Sequence, residues 1–197
     1  MKELKVKLTF IEEILGTASN DKEIHSDYIA SKAPDAMTRE EEIESIGVDG
    51  VIDKGKTVFS RTDDGKPMLW DYQIKGFFKN AGKTFNYIGG SCKLTAYKSK
   101  IDNLVFIKER KIPLILPDGE EIGSCQRPLR ASTAAGERVA LANSESCPAG
   151  TTAEFTILVL QDELMKKVKE WLDYGELNGI GQWHNSGKGR FTWEEIK

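Results

Sequence analysis

Residues 4–10, LKVKLTF, alternate without a break: Leu4, Val6, Leu8 and Phe10 fall on one side, Lys5, Lys7 and Thr9 on the other. A period of two over such a run describes a half-buried strand. The fold must therefore supply a sheet with one covered face and one polar or basic face. A second strand is expected at residues 153–160, AEFTILVL. It runs into ELMKKVKEWLDYG, which Asp162 caps and Gly175 stops, with Leu164, Met165, Val168, Trp171 and Leu172 forming one amphipathic stripe.

The rest of the chain fills in around these two strands. TASND offers helix caps before KEIHSDYIASKA, a short helix ended by Pro34. MTREEEIESIG predicts a second short helix, with Thr38 at the cap, Glu41 three residues on and Gly47 at the end. KTVFSRTDDGKPMLW reads as strand, turn at DDGK, strand. In DYQIKGFFKNAG, the apolar Ile74, Phe77, Phe78 and Ala81 recur at i, i+3, i+4 and i+7, a helix face capped by Asp71 and stopped by Gly82. The stretch 84–150 is expected to be strands and loops: NLVFI and IPLIL as short strands, PDGE as a turn, CQRPLRASTAAGERVAL as a hairpin over a small-residue loop. RFTWEEI closes the chain as a last strand.

This order predicts one α+β domain over residues 1–197, with an antiparallel sheet, helices on one face and a β-rich insert at 84–150. The other face would be open, as in sheets that bind single-stranded RNA.

With 39% hydrophobic and 30% charged residues, the chain has the composition of a soluble globular protein. No apolar run approaches the ~20 residues of a membrane span, and MKELKVKLTF lacks a signal-peptide core. A cytoplasmic protein without a membrane partner is expected. Cys92, Cys125 and Cys147 are too few and too far apart for a disulfide framework or a zinc knuckle, so free thiols are expected. No metal or cofactor is expected.

A net charge of −3 hides two opposed segments. Residues 12–49 carry 11 acids against 3 bases, and residues 72–111 carry 9 bases against 2 acids. The local field, rather than the average, decides whether a polyanion binds.

GIGQWHNSGKG, residues 179–189, sets two Gly-x-Gly pairs around QWHNS. Glycine lets a backbone approach a ligand closely, and successive free N–H groups can cup an anion. Lys188 and Arg190 add charge beside that cup, and Trp183 offers a ring on which a base can stack. The segment lacks the Gly-Lys-Ser/Thr ending of a Walker loop. It also follows a helix and opens a strand, the reverse of a dinucleotide fingerprint.

The spacing Gly179-x-Gly181-x5-Gly187-x-Gly189 before a terminal strand resembles the C-terminal glycine-rich loop of the RAMP superfamily, the repeat-associated RNA-binding proteins of CRISPR systems. Ile180 fits the family's hydrophobic position, whereas Lys188 replaces the second one and His184 stands where a Lys or Arg is usual. DGKPMLWDYQIKGFFKNA is similar to a second family stretch through Gly65, Pro67, Met68, Leu69, Ile74, Lys75, Gly76 and Lys79. Asp71 and Tyr72 depart from its small-polar pair. The resemblance covers both chain ends and residues 57–82.

That resemblance implies a ferredoxin-like, RNA-recognition-like sheet. It also implies that the chain holds single-stranded guide-type RNA largely through the phosphate backbone, with the loop pressing the RNA against the uncovered sheet. Arg127, Arg130, Lys188 and Arg190 are the expected phosphate contacts, and Trp183 and His184 the base or ribose contacts. Lys75 and Lys79 are further candidates. Effector subunits of a CRISPR antiviral system are the implied partners.

Some RAMP proteins cleave RNA without metal. His25, Tyr28 and Lys32 stand at i, i+3 and i+7 and can share a helix face, where His serves as general base and Lys stabilises phosphorane charge. The same segment also reads as an acidic surface helix, with Glu23 and Asp27 repelling phosphates. A metal-independent guide-RNA processing endoribonuclease therefore stands beside the binding protein as an alternative. So does a stand-alone, phage-borne interaction protein that mimics or blocks a CRISPR subunit, with the acidic segment 12–49 docking on a basic partner.

Overall fold

A computed structural model describes residues 1–19, 56–133 and 136–197, with the backbone alone at 92, 129–133 and 136–141. The two helices expected between Lys22 and Gly47 lie outside the described residues.

Strand β1 (Lys2–Phe10) realises the opening alternation: Leu4, Val6, Leu8 and Phe10 are buried while Lys5 is exposed. On one edge it runs antiparallel to β11 (Thr152–Val159), in register from Lys2↔Val159 to Thr9↔Thr152. On the other edge it meets β12 (Phe191–Glu195), with Phe10 opposite Phe191. The far edge of β11 is shared by β7 (Val105–Ile107) and β8 (Lys111–Ile115). Beyond β8 come β6 (Pro67–Trp70) and β5 (Ser60–Arg61).

Three helices are described, α1 (Asp71–Ile88), α2 (Tyr97–Leu104) and α3 (Asp162–Asp173). Taken along the chain, β1, α1, β7/β8, β11, α3 and β12 make a β-α-β-β-α-β unit. Its strands lie in the order β12-β1-β11-β7/β8, fourth-first-third-second. The protein is therefore an α+β fold of ferredoxin-like topology.

A second sheet has the order β2 (Ile14–Leu15), β10 (Gly136–Cys147), β4 (Thr57–Val58), β3 (Ala18–Ser19). Strand β9 (Gly123–Thr133) pairs with β10 as a long hairpin.

Helices α1 and α3 cover the apolar side of the main sheet. Ile74, Phe77, Phe78 and Ala81 of α1, and Leu164, Val168, Trp171 and Leu172 of α3, join the strand residues in one core. Phe77 meets Phe191 edge-on at 5.1 Å between ring centroids, and Phe78 lies 5.9 Å from Trp171. Such aromatic pairs each contribute about 0.5–1.5 kcal/mol beyond their buried area. On the opposite face Lys7 stands in register with Glu154 on one side and Glu194 on the other. The central strands show Lys5, Lys7, Thr9 and Glu154 there, with Thr156 buried under the Glu109 carboxylate, a mixed-charge surface without stacking rings. No helix among the described residues is long and apolar enough to cross a membrane.

Several local expectations need correction. Gly82 does not stop α1, which continues to Ile88. Gly82 is buried where Tyr97 of α2 crosses, and a Cβ there would stand 3.0 Å from the Tyr97 ring, so its role is close packing. Helix α2 stands where strands and loops were expected. Ile101 is its one fully buried residue, too little to make a periodic signal. The 84–150 stretch is thus not wholly an insert. Helix α2 and strands β7 and β8 belong to the main body, and the β9–β10 hairpin stands outside its sheet.

KTVFSRT is two strands in different sheets. They part at Phe59, whose N–H goes to Glu145 Oε2 at 2.9 Å instead of to a ladder. Ala18–Ser19, expected as a helix-cap stretch, pairs with Val58 and Thr57. Asp71 and Asp162 are first helical residues rather than caps, the caps being Trp70 and Gln161. At those positions their carboxylates complement the positive end of each helix dipole.

Candidate nucleic-acid interface

The outer two glycines of the C-terminal loop, Gly179 and Gly189, close it backbone against backbone. Ile180 N donates to Gly189 O at 3.0 Å. A Cβ on Gly179 would lie 2.2 Å from the Lys188 carbonyl oxygen, and one on Gly189 would lie 1.9 Å from that of Ile180. Gly189 also has φ +67, a conformation that costs other residues strain. Gly179 and Gly189 therefore form a clasp at the base of the loop, and Gln182–Ser186 form its tip.

The clasp is pinned to the segment that follows β1. Gly189 N donates to the Glu13 carbonyl at 2.8 Å, Lys188 Nζ lies 2.5 Å from Glu13 Oε1, and Arg190 Nη2 lies 3.0 Å from Glu12 Oε1. The hydrogen bond to Glu13 holds the Lys188 ammonium above the usual lysine value. Both loop cations expected at phosphates are thus engaged within the chain.

At the tip, Trp183 is half-buried with φ 59, and the Arg127 guanidinium sits 4.8 Å from its ring centroid. Arg127 is 5% exposed; it donates to Ser144 Oγ at 3.1 Å and to Gln182 Oε1 at 2.6 Å. Among the described residues no carboxylate pairs with it. It ties the β9–β10 hairpin to the loop tip. His184 Nδ1 lies 3.1 Å from the Gly181 carbonyl. A carbonyl can accept and never donate, so the neutral ring carries its proton on Nδ1 and leaves Nε2 as an acceptor. The amides of Gly181, Gln182 and Trp183 meet no backbone acceptor among the described residues.

Between the loop and α1 runs an open groove of ≈ 490 Å³, lined by Thr17, Tyr72, Gly76, Asn80, Gly181 and His184 among others. The loop therefore faces the helix side of the fold. The expectation that it presses a ligand against the uncovered sheet is corrected: the connection after α3 lands the loop against α1 and the Glu12–Leu15 segment.

Of the other candidate residues, Gly187 ends the tip's 3-10 turn with φ +88. Arg130 lies on β9 opposite Val139. Lys75 donates to the Asp102 carbonyl at 3.1 Å, and Lys79 pairs with the Asp102 carboxylate at 2.6 Å. His25, Tyr28 and Lys32 lie outside the described residues. Among the described residues no three His, Cys, Asp or Glu side chains converge as a metal site. Cys125 and Cys147 are free thiols. Sequence reasoning missed the exposed stripe of α1, Tyr72, Gly76 and Asn80, that forms the groove's other wall. Its signal was present as the positions opposite the apolar face of that helix.

No family model matches the sequence, and no curated protein matches it. Solved structures do share its shape. A chain of the structure described as "Type IV-B CRISPR Complex" aligns with a TM-score of 0.48 and 10% identity, covering 99% of this chain and 90% of that one. A chain of the structure described as "Cryo-EM structure of the Type III-B Cmr-beta bound to cognate target RNA" aligns with a TM-score of 0.54 and 12% identity. All of this chain is covered, and it spans 60% of that one. At such identity the likeness is one of fold: the ferredoxin-like α+β body described above is shared with a chain of that Type III-B complex.

Proposed function

We propose that this chain is a RAMP-like RNA-binding protein of the CRISPR-associated kind. It holds single-stranded, guide-type RNA by its sugar–phosphate backbone in the groove between the glycine-rich loop and α1. The observation that carries this reading is the loop tip itself. Three successive amides, Gly181 to Trp183, are without a backbone acceptor among the described residues; the first lines the open groove and the last belongs to a residue with a fixed aromatic ring. The fold likeness to a chain from an RNA-bound complex supports it.

In this reading Gly179, Gly181, Gly187 and Gly189 shape the loop, and Trp183 and His184 meet base or ribose. Arg127 positions Trp183. Lys188 and Arg190 hold the loop and contribute field, each exchanging a carboxylate for a phosphate when RNA arrives. Arg130 is a further phosphate contact on the hairpin.

The test is a filter-binding titration with single-stranded RNA at several salt concentrations. Binding should be tight at low salt and fall log-linearly as salt rises, because bound cations release counterions. It should weaken by about tenfold in Trp183→Ala, the order of one lost stacking contact. Absence of binding at low salt refutes the proposal. Adding EDTA to the same mixtures and sizing the RNA separates a binding protein from a metal-independent nuclease.

A further inference from the structure

Residues 72–101 contain six lysines and no Asp or Glu. The structure divides these lysines. Lys75 and Lys79 are drawn to Asp102, whereas Lys83, Lys93 and Lys98 are exposed and have no ion-pair partner among the described residues. These three gather at the corner where α1 gives way to α2.

The corner is also aromatic and shaped. Tyr87 is 82% exposed, far more than a tyrosine in a packed surface. Two shallow depressions of ≈ 250 and ≈ 460 Å³ adjoin there and share Asn86 and Tyr97. The floor is held in place. Asn86 Oδ1 accepts from Leu94 N at 2.7 Å, and Asn86 Nδ2 donates to Leu94 O at 3.2 Å. Among the described residues no Asp or Glu lines either depression, and Lys167, which donates to Ser91 O beside them, is paired with Glu170.

The corner is continuous with the groove. Tyr72, Gly76, Asn80, Lys83 and Tyr87 follow one another at spacings of four, four, three and four, a single stripe on the exposed side of α1. The first three line the groove, and the last two line the corner. From Gly76 to Tyr87 the helix rises about 16 Å, roughly five stacked nucleotides at the B-form spacing per strand.

We infer that α1 is a rail: a single RNA strand leaving the glycine-loop groove follows its exposed stripe. The strand reaches a second contact site at the α1–α2 corner, where Lys83, Lys93 and Lys98 meet phosphates and Tyr87 stacks on a base. The inference rests on the groove reading and adds a site separate from it. Unpaired cations around an exposed ring on a fixed floor are the combination that binds single strands irrespective of sequence.

The experiment compares uridine oligomers of about 5 and about 15 nucleotides, on the full chain, with wild type, Lys83→Glu/Lys93→Glu/Lys98→Glu and Tyr87→Ala. The short oligomer reports the groove, and the gain in affinity with length reports the corner. Wild type should bind the long oligomer at least about tenfold more tightly. In the triple variant that gain should vanish and the salt slope should fall by about 2, three phosphate contacts at about 0.7 each. Tyr87→Ala should lose part of the gain, with its salt slope kept. All substituted side chains are exposed, so melting temperatures should match wild type.

A triple variant with the full length gain and wild-type slope overturns the rail and leaves the groove standing. Wild type that binds neither oligomer overturns both. A triple variant that keeps its RNA gain and instead loses an acidic protein partner overturns the rail in favour of a protein-docking corner.

Discussion

Lys188 Nζ donates to Glu13 Oε1 at 2.5 Å across 175 residues of sequence. Together with Arg190 and Glu12, this contact fastens the last loop to the end of the first strand, and it also masks the loop's charge. Two effects are therefore expected to separate in Glu12→Gln/Glu13→Gln. Each pair is partly exposed and stabilises by less than about 1 kcal/mol. The melting temperature should fall by a few degrees, on the scale of about 2–4 °C per kcal/mol for a chain of this size. RNA affinity at low salt should rise severalfold, because two acids leave the base of the loop and two cations are released. Calorimetry and filter binding on the same preparations check both directions; an affinity that falls would remove Lys188 and Arg190 from the phosphate-binding set.

The clasp predicts a sharp difference between two glycines that the sequence presents as equivalents. Gly189→Ala places a Cβ 1.9 Å from the Ile180 carbonyl oxygen and cannot be accommodated without opening the loop. Its cost should exceed about 3 kcal/mol, strain and overpacking together. Gly187→Ala has positive φ as well, but its Cβ meets nothing closer than Arg190 Nε at 3.7 Å. Its cost should stay near 1 kcal/mol, the strain of a left-handed alanine. Chemical denaturation of the two variants tests the ordering.

These cases show what the sequence made legible and what it withheld. The alternation in β1, the strand at β11 and the stripes of α1 and α3 are local patterns of burial. Each could be read because burial on a strand or helix repeats at a fixed period. The order of elements then implied an α+β fold with an antiparallel sheet, and the ferredoxin-like form came from the resemblance of the glycine loop and the 65–79 stretch. Gly82 misled because its use is tertiary: it makes room for Tyr97, and glycine near a helix's end otherwise signals a stop. Helix α2 was invisible because a single residue, Ile101, carries its burial. The loop was recognised by its spacing, yet its charge state was not, since Glu12 and Glu13 become its neighbours through the fold alone.

Arg127 is expected to matter for structure first and for RNA through Trp183. Its side chain joins Ser144, Gln182 and the indole in a nearly closed space. Arg127→Ala takes from the Gln182 oxygen its short donor, leaving it only the 3.4 Å contact from Ser144 Oγ, while the Ser144 hydroxyl keeps Thr57 at 2.6 Å. The loss should be about 1–3 kcal/mol, that of one buried group left poorly satisfied. Arg127→Lys should recover little, because an ammonium cannot reproduce the fork that spans two acceptors and lies on a ring. The indole's fluorescence should shift in both variants. Unchanged emission with weakened RNA binding would instead make Arg127 a direct phosphate ligand.

Alkaline pH should loosen the fold through two groups that act in the same direction. Cys147 is fully buried, and burial pushes its thiol up to about 12 from an ordinary 9.0. Lys188 is raised above its ordinary 10.5 by the hydrogen bond to Glu13. In each case the folded state keeps its proton to higher pH than the unfolded chain does. Each contribution is whole below the unfolded value and disappears as pH climbs through the folded one. Stability should therefore hold to about pH 9 and decline from there toward pH 12, with Cys147 acting first and Lys188 joining above 10.5. Denaturant midpoints between pH 8 and 11 should show the decline. Cys147→Ala, which removes the earlier titration at the cost of a small cavity, should delay its onset to the lysine range. An alanine variant that declines from the same pH as wild type would rule out the buried thiol as the cause.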